Sequence, residues 1–413
     1  MKKSIFVTSP IFSRSGYGQH SRLIVDSLLN HTDKFDITIN PTRWGTTPQI
    51  SNKEKYAKYI GNVTSQPDIS IQIGIPNEFQ RFGKVSIGIS AVTESSVCSM
   101  EFIEGANKMD LVIVPSEFTK KVLEETEIEK KDRNTNQTIE VIKCKVPIKV
   151  LFEGVDTEIF NKNNVIAFKQ LSAIKEDFCF LVCGTWLAGA IGEDRKNIGA
   201  TIQLFFETFK RKGVKNRPAL VLKVNSAGFS EVEQYEIIEK IRYIQETVGG
   251  SLPNVYLLNG DLSDEEMNAL YNHPKIKAMV SLTHAEGFGI PLLEFTTTGK
   301  PVIASNYSGH LDFLSKEHGA VLLPGSMTKI HDSAANRWLI KGSEWFTVNY
   351  QFAGQTLNNV YEYYDKYLEK SRKHPKYTKD NFSLSKMEEG LLSILDAYDK
   401  KPITLNLPKL VKL

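Results

Sequence analysis

The sequence predicts an α/β protein made of two doubly wound domains, and three observations predict it. At 413 residues the chain exceeds what a single hydrophobic core serves. Short apolar runs rich in β-branched residues alternate with amphipathic helical patterns, as expected of strands buried on both faces of parallel sheets. That alternation lapses near the middle of the chain and then restarts, which implies two βα series facing each other across a cleft, the default place for a ligand.

The first run, "SIFVTSP", reads as a buried strand; Ser4, Thr8, Ser9 and Pro10 cut it far short of a signal or membrane-spanning segment. "SRLIVDSLLNH" reads as the first helix, "DITIN", "DISIQIGIP", "VSIGISAV" and "DLVIVPS" as further strands, and "EFTKKVLEE" as a helix. Residues 125–147, "ETEIEKKDRNTNQTIEVIKCKVP", form a charged excursion expected to be a solvated hairpin. Strand rhythm is lost between Phe160 and Lys175, so the domains are placed at 1–165 and 166–375. "FCFLVCGT", "ALVLKVNS", "NVYLLNG", "AMVSLT" and "PVIASN" are the strands of the second series. After Asn349 the chain reads helical to about Lys370, and "SLSKMEEGLLSILDAYDK" starts another helix from a serine cap with Glu388 on the next turn. The basic stretch "KKPITLNLPKLVKL" is expected to be a mobile or docking tail.

Composition narrows the function classes. A hydrophobic content of 41%, a charged content of 24% and a net charge of +3 describe an ordinary soluble protein without a polycationic segment, so nucleic acid is not indicated by charge. Four cysteines supply neither a disulfide framework nor a zinc set; Cys179 and Cys183, inside an apolar run, read as buried free thiols in a reducing cytoplasm.

The stretch with most chemistry is "HAEGFGIPLLE", residues 284–294. It follows a buried strand, and Pro291 suits the first turn of a helix because it lacks the N–H that would be orphaned there. The loop from Glu286 to Ile290 then lies at the carboxyl edge of a parallel sheet, where doubly wound folds bind ligands. Gly287 and Gly289 allow positive φ and close approach of a ligand, a phosphate above all. Glu294, in the first helical turn, can accept two hydroxyls of a ribose, and Glu286 faces the neighbouring space. Read by itself the loop also fits a solvated Glu286 and a Glu294 that favours a helix amino terminus.

"EGFGIPLLE" followed by "GKPVIASNYSGHLDFL" resembles the signature of family 4 retaining glycosyltransferases of the GT-B fold, whose two glutamates are separated by seven residues. "DLVIVPSEFTKKVL", "EGVDTEIF" and "NVYLLNGDLSDEEMNALYNH" resemble the same family in order and spacing over most of the chain. The resemblance implies two Rossmann-like domains, the amino-terminal one completed by a carboxyl-terminal helix at about 380–413. It implies that Glu294 binds the ribose, that Glu286 stands at the donor sugar, and that Gly287, Phe288 and Gly289 cradle sugar and phosphate. Arg195 and Lys196, in "GTWLAGAIGEDRKN", resemble the basic pair that neutralises the donor diphosphate, on a loop longer than the family's. The backbone from Leu258 to Leu262, Asn259 included, would meet the base. The donor is expected to be UDP-glucose-like, and the enzyme a hexosyl- or pentosyltransferase.

In the amino-terminal half, "SRSGYGQHSR" offers Gly16 and Gly18. Ser21 stands where a dinucleotide fingerprint wants its third glycine and Asn40 where it wants an acid, which disfavours an NAD enzyme. In the family this loop closes over the donor phosphates, with Gly18 the best candidate. Glu94, in "SAVTESSVCS", either faces the donor sugar and acceptor or caps a helix; His20 is a candidate acceptor contact, and His284 and His310 lie in site-forming loops. The resemblance further implies front-side substitution, with the leaving diphosphate taking the acceptor proton and no carboxylate nucleophile. No Asp-x-Asp motif stands at a strand end, so no metal and no cofactor are expected.

The acceptor is expected to be a saccharide or another small hydroxyl compound. "IPNEFQRFGK" and "MEFIEGANKMDLVIVPSEFTKK" resemble glycosyltransferases of large tailed bacteriophages, which implies a second possibility, hydroxymethylated pyrimidines of DNA in a host cytoplasm. A GT-B sugar-nucleotide epimerase would share the donor cleft. A binding protein with a degenerate cleft is disfavoured by the presence of Arg195, Lys196, Glu286 and Glu294.

Overall fold

Each apolar run read as a strand joins one of two six-stranded sheets in the computed structural model, which describes residues 2–91, 94–132, 135–163, 165–187 and 189–399. "KKPITLNLPKLVKL" lies outside the described residues. The first half contains β1 Lys3–Ser9, β2 Phe35–Pro41, β3 Ile69–Ile73, β4 Val85–Ile89, β5 Leu111–Val114, the hairpin β6 Ile128–Lys131 with β7 Thr138–Ile142, and β8 Ile148–Val150. The second contains β9 Cys179–Thr185, β10 Ala219–Asn225, β11 Val255–Leu257, β12 Ile276–Ser281, β13 Val302–Ser305 and β14 Val321–Leu323, then the hairpin β15 Gly325–Lys329 with β16 Glu344–Val348. The helices are α1 Gly16–Leu29, α2 Glu54–Ala57, α3 Met100–Ala106, α4 Glu117–Glu125, α5 Ile198–Phe209, α6 Glu231–Val248, α7 Asp264–Asn272, α8 Ile290–Thr296, α9 Tyr350–Glu362, α10 Tyr364–Ser371, α11 His374–Phe382 and α12 Leu384–Asp399.

The sheets run β2-β1-β3-β4-β5-β8 and β11-β10-β9-β12-β13-β14. Every pair within them is parallel, with Val7 opposite Ile71 at the centre of the first and Leu181 opposite Val221 in the second. Strand order reverses between β1 and β3 and again between β9 and β12. Crevices at the carboxyl ends of strands open at such reversals, and the loops that leave β1, β9 and β12 are the three that carry "SRSGYGQHSR", Arg195 with Lys196, and the 284–294 stretch.

Each sheet is packed on both faces. Ile202, Phe205, Phe206 and Phe209 bury one face of α5 on the second sheet, while Leu293 and Phe295 of α8 close the other. Full burial of such a side chain stabilises by about 1.5–3 kcal/mol. The first sheet is covered on one side by Ile24 and Leu28 of α1 together with Met387, Leu391 and Leu395, one stripe of α12 at helical spacing. The chain returns to that sheet beside Val155: the Val155 N–H donates to Phe382 O at 2.9 Å and the Leu384 N–H to Val155 O at 2.8 Å.

Several expectations change in detail. The first helix begins at Gly16, ahead of its apolar repeat, because Ser15 caps it by accepting from the Gly18 N–H at 3.0 Å. Glu388 does not turn back on its own helix but accepts from Asn30 Nδ2 at 2.8 Å and lies 2.8 Å from His31 Nε2, tying α12 to the end of α1. The excursion is the β6–β7 hairpin, with Ile139 and Val141 exposed. All four cysteines are free; Cys98 and Cys179 are buried, and Cys183 is half-buried. No helix among the described residues is long and apolar enough to cross a membrane.

Candidate active site

The 284–294 stretch is held from four directions. His284 stacks on Trp345 with centroids 4.0 Å apart, and its ring nitrogens lie 2.8 Å from Phe346 O and 3.0 Å from Gly192 O. Burial pushes its pKa down. The ring therefore pins the β12 loop to the β15–β16 hairpin and to the basic loop, a structural role. The Glu286 N–H donates to Ser308 Oγ at 2.8 Å, and the Gly309 N–H to Glu286 O at 2.9 Å. From the other half, Ser116 Oγ and Thr119 Oγ1 donate to Gly287 O at 2.6 and 3.2 Å. Ser308 has φ +79°, a conformation costing on the order of 1–3 kcal/mol in a residue with a side chain, and the bond from Glu286 holds it there.

A Cβ at Gly309 would stand 2.1 Å from Gly287 O and 2.7 Å from Ser116 Oγ. Gly309→Ala must therefore push the loop away from both, and a displacement of about 1 Å at a reacting centre costs about 10²-fold in rate. The expected result is a folded protein, by circular dichroism, with turnover down by one to two orders of magnitude.

Gly289 takes φ +102° and caps α8, with Pro291 in its first turn. Gly287 is not at positive φ. Among the described residues, the N–H groups of Gly287, Phe288 and Gly289 carry no hydrogen bond. Because α8 starts at Ile290, Glu294 falls on its second turn rather than its first, and its burial is set by neighbours, not by the helix end. It is 5% exposed, accepts from Tyr271 OH at 2.9 Å and from Gln19 Nε2 at 3.1 Å, and is pushed up to about 8, first by burial and then by Asp264.

The basic loop is fixed at both ends. Asp194 accepts from the Ile198 and Gly199 N–H groups at 2.8 and 3.1 Å, capping α5. Asn197, at φ +55°, donates to Leu282 O at 2.9 Å. Between them Arg195 donates to Glu94 and Lys196 to Glu286, while Lys196 Nζ also stands 4.0 Å from Glu94 Oε1. Burial raises the Glu286 carboxyl, but Lys196 and Arg195 outweigh it, and the group lies below its ordinary range. Four residues singled out in the sequence, Glu94, Arg195, Lys196 and Glu286, thus form one alternating ionic cluster.

The other candidates lie outside this cluster. The Gly18 N–H is taken by Ser15, so it is not directed at a ligand, whereas Gly16 faces open space. Asn259 Nδ2 donates to Val224 O at 3.0 Å, and Leu262 packs half-buried on the second core. Asp261 of the same loop pairs with Arg14 at 2.9 Å. His20 Nδ1 lies 3.0 Å from Glu153 Oε1. His310 Nε2 lies 2.7 Å from Ser305 O, and burial pushes its pKa down.

Over 96% of its length the chain superposes on Anabaena HepE, solved in complex with UDP-glucose, with a TM-score of 0.61, 12% identity and all of that chain covered. Sucrose-phosphate synthase from Thermosynechococcus elongatus gives 0.62 at 13% identity, over 96% of this chain and 99% of that one. A glycosyltransferase from Rickettsia africae gives 0.59 at 15%, over 97% and 100%. The fold is GT-B.

Within it, residues 250–341 match the family model for glycosyl transferases group 1, a span that includes the 284–294 loop, Ser308 and Gly309. No curated protein matches the chain in sequence. Residues the sequence reading passed over hold the candidate groups in place: Gln19 and Tyr271 bond Glu294, and Ser116, Thr119, Ser308 and Gly309 bond the 286–287 backbone. Only "SGH" after the β13 strand end carried a local signal, a small pair at a strand edge. Ser116 and Gln19 act on partners 171 and 275 residues away, and no spacing reveals that.

Proposed function

We propose that the protein is a retaining glycosyltransferase that moves a sugar from a nucleoside diphosphate to a hydroxyl acceptor. The observation that carries this is the cluster of Arg195, Lys196 and Glu286 beside a loop whose N–H groups are uncommitted, with Glu294 on the helix that the loop starts. Arg195 and Lys196 would bind the diphosphate, Glu294 the ribose diol and Glu286 the sugar hydroxyls. The C1–O bond to phosphate breaks, a C1–O bond to the acceptor forms on the same face, and the acceptor proton passes to the departing phosphate oxygen. Charge developing on that oxygen is met by two cations already oriented in a partly dehydrated site, which lowers the barrier without a metal ion. The donor is UDP-glucose-like and the acceptor a saccharide or other small hydroxyl compound. Support comes from the group 1 match, which covers the loop, and from HepE, a GT-B protein solved with UDP-glucose.

The test is incubation with a panel of UDP-, GDP-, ADP-, CDP- and TDP-sugars, following release of nucleoside diphosphate with saccharide acceptors and with hydroxymethylated DNA. Release from one base class, with the sugar appearing on an acceptor in its original anomeric form, is expected. Stimulation by DNA alone would move the acceptor to nucleic acid, and altered sugar stereochemistry without transfer would indicate an epimerase. Turnover of no sugar nucleotide overturns the reading.

A further inference from the structure

Three of the four groups assigned above to the donor, Arg195, Lys196 and Glu294, meet a side chain of the amino-terminal half, while Glu286 pairs with Lys196. Glu94 takes the Arg195 guanidinium and lies 4.0 Å from the Lys196 ammonium. Gln19 Nε2 donates to Glu294 Oε1 at 3.1 Å. Arg14 holds Asp261, in the loop at the end of β11, at 2.9 Å. The chemistry of the Glu94 and Gln19 contacts matches two parts of a nucleotide. A carboxylate offers a guanidinium the same charge-assisted oxygens as a phosphate, and a carboxamide N–H offers a carboxyl oxygen the same donor as a ribose hydroxyl. The order also matches: Gln19 sits at the ribose ligand and Glu94 at the phosphate ligands. Glu94 comes from the loop after β4 and Gln19 from the first turn of α1, so the correspondence draws on two separate elements and is not one local turn.

We propose that Glu94 and Gln19 are an internal stand-in for the donor nucleotide, so that nucleotide binding is an exchange in which the diphosphate displaces Glu94 and the ribose displaces Gln19. The inference rests on the nucleotide-sugar reading and gives Glu94 a role different from contact with the donor sugar. The two halves close on each other through these contacts, and a nucleotide gains its own contacts only as it breaks them. After transfer the exchange runs backwards: Glu94 competes for Arg195 and helps expel the nucleoside diphosphate, a step that often limits turnover in enzymes that close on their substrates.

The test is the binding of UDP, GDP, ADP, CDP and TDP by calorimetry to wild type, Glu94→Gln, Glu94→Ala, Gln19→Leu and Lys196→Ala, with folding checked by thermal melts. Both Glu94 variants are expected to bind the preferred nucleoside diphosphate five- to tenfold more tightly, and inorganic pyrophosphate more tightly too, with the free nucleoside unchanged. Gln19→Leu is expected to tighten the nucleoside two- to fivefold and leave pyrophosphate unchanged. Unchanged or weaker nucleotide binding in the Glu94 variants overturns the exchange, and weaker binding would make Glu94 a direct donor ligand. If wild type binds a diphosphate and Lys196→Ala loses it while Glu94→Gln is no tighter, the exchange alone fails. If wild type binds none of the five, the nucleotide-sugar reading fails with it.

Discussion

Lys196→Ala lowers sugar transfer by about 10²–10³-fold, the usual cost of removing one preorganised group that meets developing negative charge, and it destabilises the protein at neutral pH. The second effect comes from Glu286. In the native protein its carboxyl is held below its ordinary range, because Lys196 and Arg195 outweigh burial. A depressed folded pKa gives stability that is present above the unfolded value, near 4.5, and is lost as pH falls through the folded value. With Lys196 gone, an 8% exposed carboxylate loses its contacting cation. Burial, the largest influence on it, then acts with Arg195 and His310 still opposing. Breaking a buried pair from one side costs on the order of 3–5 kcal/mol. The difference in Tm between wild type and Lys196→Ala is therefore expected to be small at about pH 4 and to widen up to about pH 7. Adding Glu286→Gln to the variant should restore most of the lost Tm at neutral pH without restoring transfer. A Tm gap that does not change with pH would show that Glu286 is not the group exposed by the substitution.

Glu294→Gln has the opposite stability sign. The Glu294 carboxyl is raised to about 8 by burial and by Asp264, so the folded state keeps a proton that the unfolded chain releases near 4.5. Between those values the unfolded state binds fewer protons, and stability falls as pH rises until about pH 8, beyond which it levels off. Each pH unit of separation corresponds to about 1.4 kcal/mol. The amide introduced by the substitution does not titrate, and it can keep the bonds to Tyr271 and Gln19 if the two carboxamides reorient. The variant should match wild type near pH 4.5 and melt a few degrees higher at about pH 8–9. It should also lose donor turnover by about 10²-fold, because the amide accepts one ribose hydroxyl where a carboxylate accepts two. In wild type, nucleoside diphosphate binding tightens from about pH 7 to 9 as the carboxyl ionises, and the variant shows no such trend. Equal melting curves at every pH would place the proton elsewhere.

How much of this is legible in the sequence depends on the range of the interaction. The parallel strands are readable because β1, β9 and β12 are buried on both faces and so show apolar runs; β15 is polar and exposed, and the buried Trp345, Phe346 and Val348 of β16 are too few and too interrupted to read as a strand. Pro291 and Gly289 mark the start of α8, yet Glu294 shifts from the first turn to the second, since a boundary one or two residues off moves a side chain to another environment. Arg195, Lys196 and Glu286 stand out as charged residues in the loops that follow β9 and β12, and Glu294 through its spacing from Glu286 in the family-like stretch. That Glu94 meets Arg195, that Gln19 meets Glu294, and that Ser116 meets Gly287 are consequences of how two halves face each other. Gly18 reads as a ligand residue only through the resemblance of its loop to the family's glycine loop, and the serine three residues earlier takes its N–H instead.

The stripe of Met387, Leu391 and Leu395 on α12 has a consequence for synthesis. These side chains complete the layer over Ile24 and Leu28, residues translated more than 350 positions earlier. A chain emerging from the ribosome therefore makes its second domain in full while its first still carries an uncovered apolar face. Domains usually mature in the order they are made; here the layer over the first sheet closes only after α12 has been made.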